Sequence, residues 1–237
     1  MNKKWRGFTL IEVSLFLAIT ALIFVGVMLG TQNSIFQQRY NDAVQTFADF
    51  LRNNYSQTTN VQSDGTGTSD KLIYGRLISF GNDDNDKVVS YSVIGGGVDP
   101  SLSGNVIELL ASGSVNAMVG KIEKEGQLIG LTETYVPKWG SKIQVKNENS
   151  DEFSTFNGAI LIVRHPETGS VYTYVTRNSV NEGKLIKEIN FNQDQLDLCV
   201  NPNGDADSDL RKDVRIVANA KNASGVVLVP DDNSECK

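Results

Sequence analysis

The residues with the clearest potential for chemistry lie in one acidic segment near the C-terminus. Within residues 201–213, NPNGDADSDLRKD, side chains with oxygen ligands occupy every second position: Asn203, Asp205, Asp207 and Asp209. Alternating oxygen ligands on a loop suit a hard cation such as calcium. The segment lacks the glycine and the glutamate that an EF-hand loop has at its sixth and twelfth positions. A weak calcium site is therefore one hypothesis. The absence of the EF-hand glycine and glutamate favours the other, a solvated acidic turn.

Residue types that carry out catalysis are scarce. His165 is the single histidine and lies beside Pro166, so we expect it to be a surface turn residue rather than part of a triad or a metal site. The sequence has no G-x-S-x-G, no G-x-x-x-x-G-K-[ST] and no C-x-x-C. We therefore predict no catalytic residues, no required cofactor and no enzymatic activity.

The two cysteines, Cys199 and Cys236, both lie close to the C-terminus. In an oxidising compartment one disulfide would be expected, whereas two free thiols would be expected in the cytosol. A bond would stabilise the domain by about 3–4 kcal/mol in the chain-entropy model.

An apolar run at the N-terminus indicates a membrane segment. Residues 8–29 read FTLIEVSLFLAITALIFVGVML. As a helix they would span about 33 Å, enough to cross a bilayer core of about 30 Å. Lys3, Lys4 and Arg6 precede the run, and the next basic residue is Arg39. The positive-inside rule therefore places the N-terminus in the cytoplasm and the rest of the chain outside.

Glu12 distinguishes this run from ordinary export signals. A secretory signal would end in an A-x-A-like cleavage site, and the run is followed instead by TQNSIFQQRY. A plain signal anchor would explain the span but not a carboxylate within it, which costs about 2.5–3.5 kcal/mol on insertion scales. Such a residue by default has a partner or a role. The alternative is that Glu12 only snorkels to the cytoplasmic interface.

Residues 3–12, KKWRGFTLIE, resemble the class III leader of type IV pilins and type II secretion pseudopilins, with a short basic leader ending in glycine, then an aromatic residue and T-L-I-E. The resemblance implies that residues 1–7 are a leader, that a prepilin peptidase cuts between Gly7 and Phe8, and that the new Phe8 amine is methylated. It also implies that Glu12 acts in subunit assembly. An amine and a carboxylate in lipid offset each other's desolvation when neighbouring subunits pair them.

The same resemblance implies partners and a location. The partners are other pilin subunits, an inner-membrane assembly platform and membrane lipid, and the body lies outside the cytoplasmic membrane before it reaches the cell surface in a pilus. A C-terminal loop tied by a disulfide recurs in the family, which favours a Cys199–Cys236 bond, and some pseudopilins bind calcium in such regions. The length and the late strands resemble minor pilins, so we expect a minor subunit of a type IV pilus or a related pseudopilus.

DNA, which some minor pilins bind, is disfavoured as a partner. The chain has a net charge of −6, and residues 1–7 hold three of its 22 basic residues and none of the acidic ones, so the remainder carries −9. Such a body repels polyphosphate. The local basic residues that could contact DNA are surrounded by aspartates: Arg211, Lys212 and Arg215.

The elements that position these residues are a long helix and a β-rich body. After the membrane half, residues 8–30, we predict that residues 31–61 form an amphipathic half of the same helix. Apolar side chains recur there at spacings of three and four: Ile35, Phe36, Tyr40, Ala43, Val44, Phe47, Phe50, Leu51 and Tyr55. Packing on a sheet is favoured over a coiled-coil stalk because a β-rich region follows.

From residue 62 the apolar period changes to two, with short segments rich in β-branched and aromatic residues separated by turn signals. These segments are the predicted strands: Lys71–Phe80, Lys87–Ile94, Asn105–Ala111, Ala117–Glu123, Gln127–Tyr135, Lys142–Val145, Ala159–Arg164, Val171–Thr176, Leu196–Val200, Val214–Ala218 and Gly225–Val229. The clearest hairpin is ILIVRHPETGSVYTYVT, turning at Pro166–Gly169. A helix followed by runs of strands predicts an α+β fold in which residues 62–237 form an antiparallel body on the helix. The resemblance implies the pilin fold for this layout.

One alternative of a different class stays open. A membrane-anchored binding domain, an adhesin or a sensor, could carry the same span and body without ever polymerising. It would retain Met1 or be cut after residue 30, whereas a pilin would begin at methylated Phe8.

Overall fold

The computed structural model describes residues 9–60, 72–81, 87–95, 118–119, 121–124, 127–130, 132–147, 150–165, 168–180, 190–202 and 210–237. Within these ranges the chain has one long α-helix and antiparallel β-sheets, which confirms the predicted mixture of helix and sheet. The chain divides into two compact units, Met1–Asp42 and Ala43–Lys237.

Helix α1 runs from Leu10 to Thr59. It ends two residues before the end of the predicted segment 31–61, and polar side chains satisfy its last turn. The hydroxyl groups of Thr58 and Thr59 donate to the carbonyls of Asn54 and Ser56, at 2.9 and 2.8 Å. In addition, Arg164 Nη1 donates to the Thr59 carbonyl at 3.0 Å, a favourable position for a cation at a helix C-terminus.

The described strands, in chain order, are β1 (Leu72–Ser79), β2 (Val88–Gly95), β3 (Met118–Val119), β4 (Lys121–Lys124), β5 (Gln127–Gly130), β6 (Thr132–Tyr135), β7 (Lys142–Lys146), β8 (Phe153–Thr155), β9 (Ala159–Arg164), β10 (Val171–Thr176), β11 (Leu196–Asn201), β12 (Lys212–Ile216) and β13 (Val226–Val229). The first sheet has the order β10-β9-β1-β2-β3, with β6 also paired to β2. The second has the order β13-β12-β11-β7-β8, and β4 and β5 form a separate pair.

The body half of α1 packs on one face of the first sheet. Phe47 contacts Phe80 and Tyr135, and Phe50 stacks on Tyr135 with ring centroids 5.0 Å apart. The side chains on the opposite face of this sheet form a buried core cluster: Leu77, Val93, Ala159, Leu161, Val163, Tyr174 and Val180. Both faces of the first sheet are therefore buried.

The second sheet is apolar on one face and polar on the other. Leu198, Val200, Val214 and Ile216 alternate with polar residues along β11 and β12 and are buried. Cross-strand partners share a face of a sheet, and the pairs Cys199↔Asp213 and Asp197↔Arg215 therefore lie together on the polar face.

A chain of hydrogen bonds ties the helix to the first sheet and to the loop that follows β12. The Tyr55 hydroxyl lies 2.8 Å from Thr173 Oγ1 on β10, and Thr173 Oγ1 donates to the Ala220 carbonyl at 2.6 Å. Because the Thr173 proton is used by Ala220, Tyr55 is the donor to Thr173. Burial raises the pKa of Tyr55 to about 12.

The predicted hairpin is confirmed as β9 and β10, and Gly169 adopts φ +70° in its turn. The prediction that His165 is a surface residue is wrong, because its side chain is only 8 % exposed. His165 continues β9 by backbone bonds to Ser170 and Gly169, and its Nδ1 accepts the Thr168 N–H at 3.3 Å. These bonds hold His165 at the base of the hairpin turn.

Most predicted strands are present, with small shifts at their ends. The predicted strand at 117–123 is divided between β3 and β4, and the one at 127–135 between β5 and β6. Strand β8 was not predicted because three residues are too few to show alternation. The strand predicted at 105–111 lies outside the described residues.

Candidate functional site

The first unit carries an exposed apolar helix. Residues Leu10–Met28 have a mean hydropathy of 2.5 and none of this stretch is buried. By length and composition it can cross a membrane, because 19 residues make about 28 Å of helix. A core helix of a soluble domain can have the same length and apolar composition, but its side chains would be buried.

The hydroxyl groups within this segment bond to the helix itself. Ser14 Oγ donates to the Ile11 carbonyl, Thr20 Oγ1 to the Phe16 carbonyl and Thr31 Oγ1 to the Val27 carbonyl, at distances of 2.7–3.0 Å. Such bonds to the preceding turn satisfy a hydroxyl where no water is present. The hydroxyl groups of Ser14, Thr20 and Thr31 are therefore satisfied in lipid without a partner chain.

Glu12 is bonded in a different way, to the residue that begins the helix. Its Oε2 accepts the Thr9 backbone N–H and the Thr9 hydroxyl, each at 3.0 Å, while Thr9 Oγ1 accepts the Glu12 N–H at 3.3 Å. This reciprocal pair is a capping box with Thr9 at the N-cap and Glu12 at the third helical position. The sequence signal for it is T-x-x-E directly before an apolar run, and the sequence prediction used only the glutamate and missed Thr9.

The capping box leaves Glu12 able to serve a second partner. Both bonds from Thr9 go to Oε2, and the Glu12 side chain is exposed. A carboxylate accepts up to about four hydrogen bonds, so Oε1 keeps the capacity to accept from a donor on another chain. The helix N-terminus also favours a negative charge at this position.

Gly26 and Gly30 provide a second feature of the same segment. They are four residues apart and exposed, and no heavy atom lies within 4 Å of a Cβ built on either. Two glycines on one helical face permit close approach of another helix.

Other predicted site residues lie outside the described residues. These are Gly7 and Phe8, at the predicted cleavage site, and the predicted calcium ligands Asn203, Asp205, Asp207 and Asp209. In the part of the chain that the structure describes, no group of three or more histidine, cysteine or acidic residues could hold a metal ion.

The predicted disulfide between Cys199 and Cys236 is present and ties the last residues to β11. Beside it, Arg215 on β12 donates through Nε to Asp197 Oδ1 and through Nη2 to Asp213 Oδ2. Burial and the nearby charge of Asp197 raise the pKa of Asp213 to about 6. The hydrogen bond to Asp197 raises the pKa of Arg215, so this arginine stays charged.

The basic residues considered for DNA are largely engaged within the body. Arg211 is buried, with its guanidinium carbon 4.1 Å from the centre of the Phe153 ring and its Nε 3.3 Å from Gln144 Oε1. Arg215 is paired with aspartates. Both guanidinium groups therefore make contacts within the body.

A polar cleft of about 600 Å³ lies beside the disulfide. Its walls mix charges of both signs and include Lys146, Asp151, Arg177, Asp197 and Glu235.

Comparisons with known proteins identify no relative, because the chain matches no protein-family model, no curated protein and no solved structure.

Proposed function

We propose that this chain is a structural subunit of a type IV pilus or a related pseudopilus, assembled through its N-terminal helix and serving as a minor subunit. The observation that carries the proposal is α1 itself. One uninterrupted helix is apolar and exposed in its first half and buried in its second half, and it has a glutamate in its first turn.

The exposed half requires a cover that the described residues of the chain do not supply. Side chains such as Leu10, Phe16, Leu22 and Phe24 are more than 60 % exposed. Monomeric soluble proteins rarely expose contiguous apolar patches above a few hundred Å². Lipid covers such a helix before assembly, and the helices of neighbouring subunits cover it in a filament.

Glu12 favours a filament over a permanent anchor. In a simple anchor a carboxylate costs about 2.5–3.5 kcal/mol, which a helix cap worth about 0.5–2 kcal/mol offsets only in part. In a pilin-like subunit, removal of residues 1–7 creates a Phe8 amine four residues before Glu12. Pairing of this amine with Glu12 Oε1 of a neighbour would compensate both charges and fix the axial register between subunits.

The disulfide supports an exported body. Disulfides form and persist in oxidising compartments, and Cys199 and Cys236 both follow the apolar helix in the chain. A body outside the membrane and a basic N-terminus inside agree with the orientation expected from Lys3, Lys4 and Arg6.

A second candidate is a membrane-anchored binding domain that does not polymerise. The polar cleft beside the disulfide favours it, since its volume falls within the range of ligand sites, about 300–1,000 Å³. This candidate predicts that the charge of Glu12 has no effect on the protein's function.

Two substitutions separate the charge of Glu12 from its role in the helix cap. Glu12→Gln removes the charge and keeps an oxygen that can accept from Thr9, because glutamine also serves in capping boxes. Thr9→Ala removes the cap and keeps the charge. In the native host we expect Glu12→Gln to reach the membrane at wild-type levels and to be absent from sheared filaments, while Thr9→Ala is incorporated at a reduced level.

The matched control is Ser14→Ala, which removes a hydroxyl that donates to the Ile11 carbonyl of its own helix and should assemble normally. Normal incorporation of Glu12→Gln would contradict the charge-pairing role. If Thr9→Ala abolished incorporation into filaments and Glu12→Gln did not, Glu12 would act only as part of the helix cap.

A further inference from the structure

The last eight residues form a segment that lies over the polar face of the second sheet; residues 230–237 are called the strap below. Its side chains are exposed apart from the half-buried Ser234 and the buried Cys236. It therefore adds little apolar burial to the body. Apart from the disulfide, the described contacts that hold it are hydrogen bonds between polar groups.

These hydrogen bonds are long. The Glu235 backbone N–H donates to Asp213 Oδ2 at 3.3 Å, and Arg215 Nη2 donates to the Asn233 carbonyl at 3.4 Å. Lys146 Nζ lies 3.5 Å from the Lys237 oxygen at an exposed position. Bonds near the upper distance limit contribute little, so the covalent bond from Cys236 to Cys199 is the main attachment of the strap.

The strap covers a carboxylate that is poorly satisfied. Asp213 is 1 % exposed, and its Oδ1 has no hydrogen-bond partner among the described residues. The charged groups described around it are Arg215 on its own strand, Asp197 on β11 and Glu235 on the strap. In this cluster Arg215 faces the carboxyl groups of Asp213, Asp197 and Glu235. Burial, the largest effect, and the charge of Asp197 disfavour an ionised Asp213, whereas the Glu235 N–H and Arg215 favour it.

The sign of the pH dependence follows from this arrangement. Burial raises the pKa of Asp213 from 3.8 to about 6. With the strap in place over Asp213, here the closed state, the pKa of this carboxyl group is higher than with the strap displaced. The closed state is therefore most favourable at low pH, where Asp213 is protonated in both states. The preference is lost as the pH rises through about 4 to 6.

We propose that the strap is a pH-sensitive closure which the Cys199–Cys236 disulfide holds shut over Asp213 at neutral pH. Without the bond, the strap opens as Asp213 ionises and closes again when it is protonated. Because Glu235 and Cys199 line the polar cleft, the strap forms one of its walls, and opening removes that wall. The surface that it controls is the polar cleft of the body and is separate from the N-terminal helix.

The test uses the full chain in detergent with Cys236→Ser, which removes the bond and leaves β11 with its native cysteine. Backbone ¹⁵N relaxation of residues 233–237 is recorded from pH 4.5 to 8. We expect a rigid strap at low pH and a mobile one at pH 8, with the change falling between about pH 4 and 6. Two pKa units correspond to about a 100-fold change in an equilibrium constant, which sets the upper limit of the effect. The wild-type strap should be rigid throughout.

Asp213→Asn in the Cys236→Ser background is the decisive variant, because it keeps the shape of the side chain and removes the titration. Its strap should be equally ordered from pH 4.5 to 8. Glu235→Gln in the same background removes a strap carboxyl but keeps the backbone N–H, and should retain a pH transition. A strap that stays rigid at pH 8 in Cys236→Ser, or a transition that survives Asp213→Asn, would overturn the proposal. Amide spectra of β11 and β12 verify that each variant is folded.

Discussion

The two halves of α1 share one backbone conformation and have opposite surroundings. In the first half Leu22 is 74 % exposed, whereas in the second half Leu51 is fully buried. The polar residues differ in the same way, since Thr20 bonds to its own helix while Asn54 and Tyr55 bond to strands of the body. The whole of α1 is therefore helical, and its two halves differ in the surface that covers their side chains.

The largest expected effect comes from making the same truncation in both halves. Leu51→Ala should lower the free energy of unfolding of the body by about 2–5 kcal/mol, because it leaves a cavity under the helix. Leu22→Ala should change it by less than about 0.5 kcal/mol, since its side chain has no packing within the chain. Chemical denaturation in detergent, followed by body tryptophan fluorescence, measures both. Equal effects would contradict the contrast between the halves.

A smaller loss is expected from the buried amide of Asn54. Its Nδ2 donates to the Phe50 carbonyl at 2.9 Å, and its Oδ1 accepts from the Ser90 hydroxyl on β2. Asn54→Ala leaves the Ser90 hydroxyl unsatisfied in a buried position, which should cost about 1–3 kcal/mol. The double variant Asn54→Ala/Ser90→Ala should recover part of that loss. If the two single losses are simply additive in the same denaturation assay, the bond makes no contribution.

The buried hydroxyl of Tyr55, in the second half of α1, should make the stability of the body depend on pH. Tyr55→Phe should lower stability at pH 7 by about 0.5–1.5 kcal/mol, the usual value of one hydrogen bond. Because the pKa of Tyr55 is raised from 10.0 to about 12, the folded state keeps a proton that the unfolded chain loses. Stability of the wild type should therefore fall between pH 10 and 12 relative to Tyr55→Phe. Parallel stability curves of the two proteins over that range would show that Tyr55 is not buried as described.

The smallest effect on the unfolding of the body is expected at the start of the helix. Thr9→Ala removes the N-cap and should destabilise the first turn by about 0.5–2 kcal/mol without altering the unfolding of the body. Hydrogen exchange of the Glu12 amide, which donates to Thr9 Oγ1, should accelerate accordingly in detergent. Thr9→Ser, which keeps the hydroxyl, should exchange at the wild-type rate. Unchanged exchange in Thr9→Ala would mean that the capping box does not stabilise this end.

Much of this layout could be predicted from the sequence, and the exceptions share a cause. The spacing of Phe47, Leu51 and Tyr55 identified the buried face of α1, but the same spacing included Ile35 and Phe36, which are exposed. Periodicity shows which side of a helix is apolar and not where its partner surface begins. His165 was misjudged for a similar reason, because Pro166 signals a turn nearby but burial depends on the fold.

The Asp213 cluster shows the limit of local patterns most clearly. Asp197, Asp213 and Arg215 are brought together only by the register of β11 and β12, and Glu235 joins them through the disulfide. In the sequence these residues are scattered charges in an acidic region. Thr9 is the opposite case, because its partner is three residues away and the spacing T-x-x-E alone predicts the capping box.

The N-terminus of the native protein tests the proposed function most directly. Intact-mass and N-terminal peptide analysis of protein from the host membrane should find a chain that begins at N-methylated Phe8 and retains Glu12 as its fifth residue. A chain that retains Met1, or one cut after residue 30, would contradict a pilin-like subunit and leave the membrane-anchored binding domain.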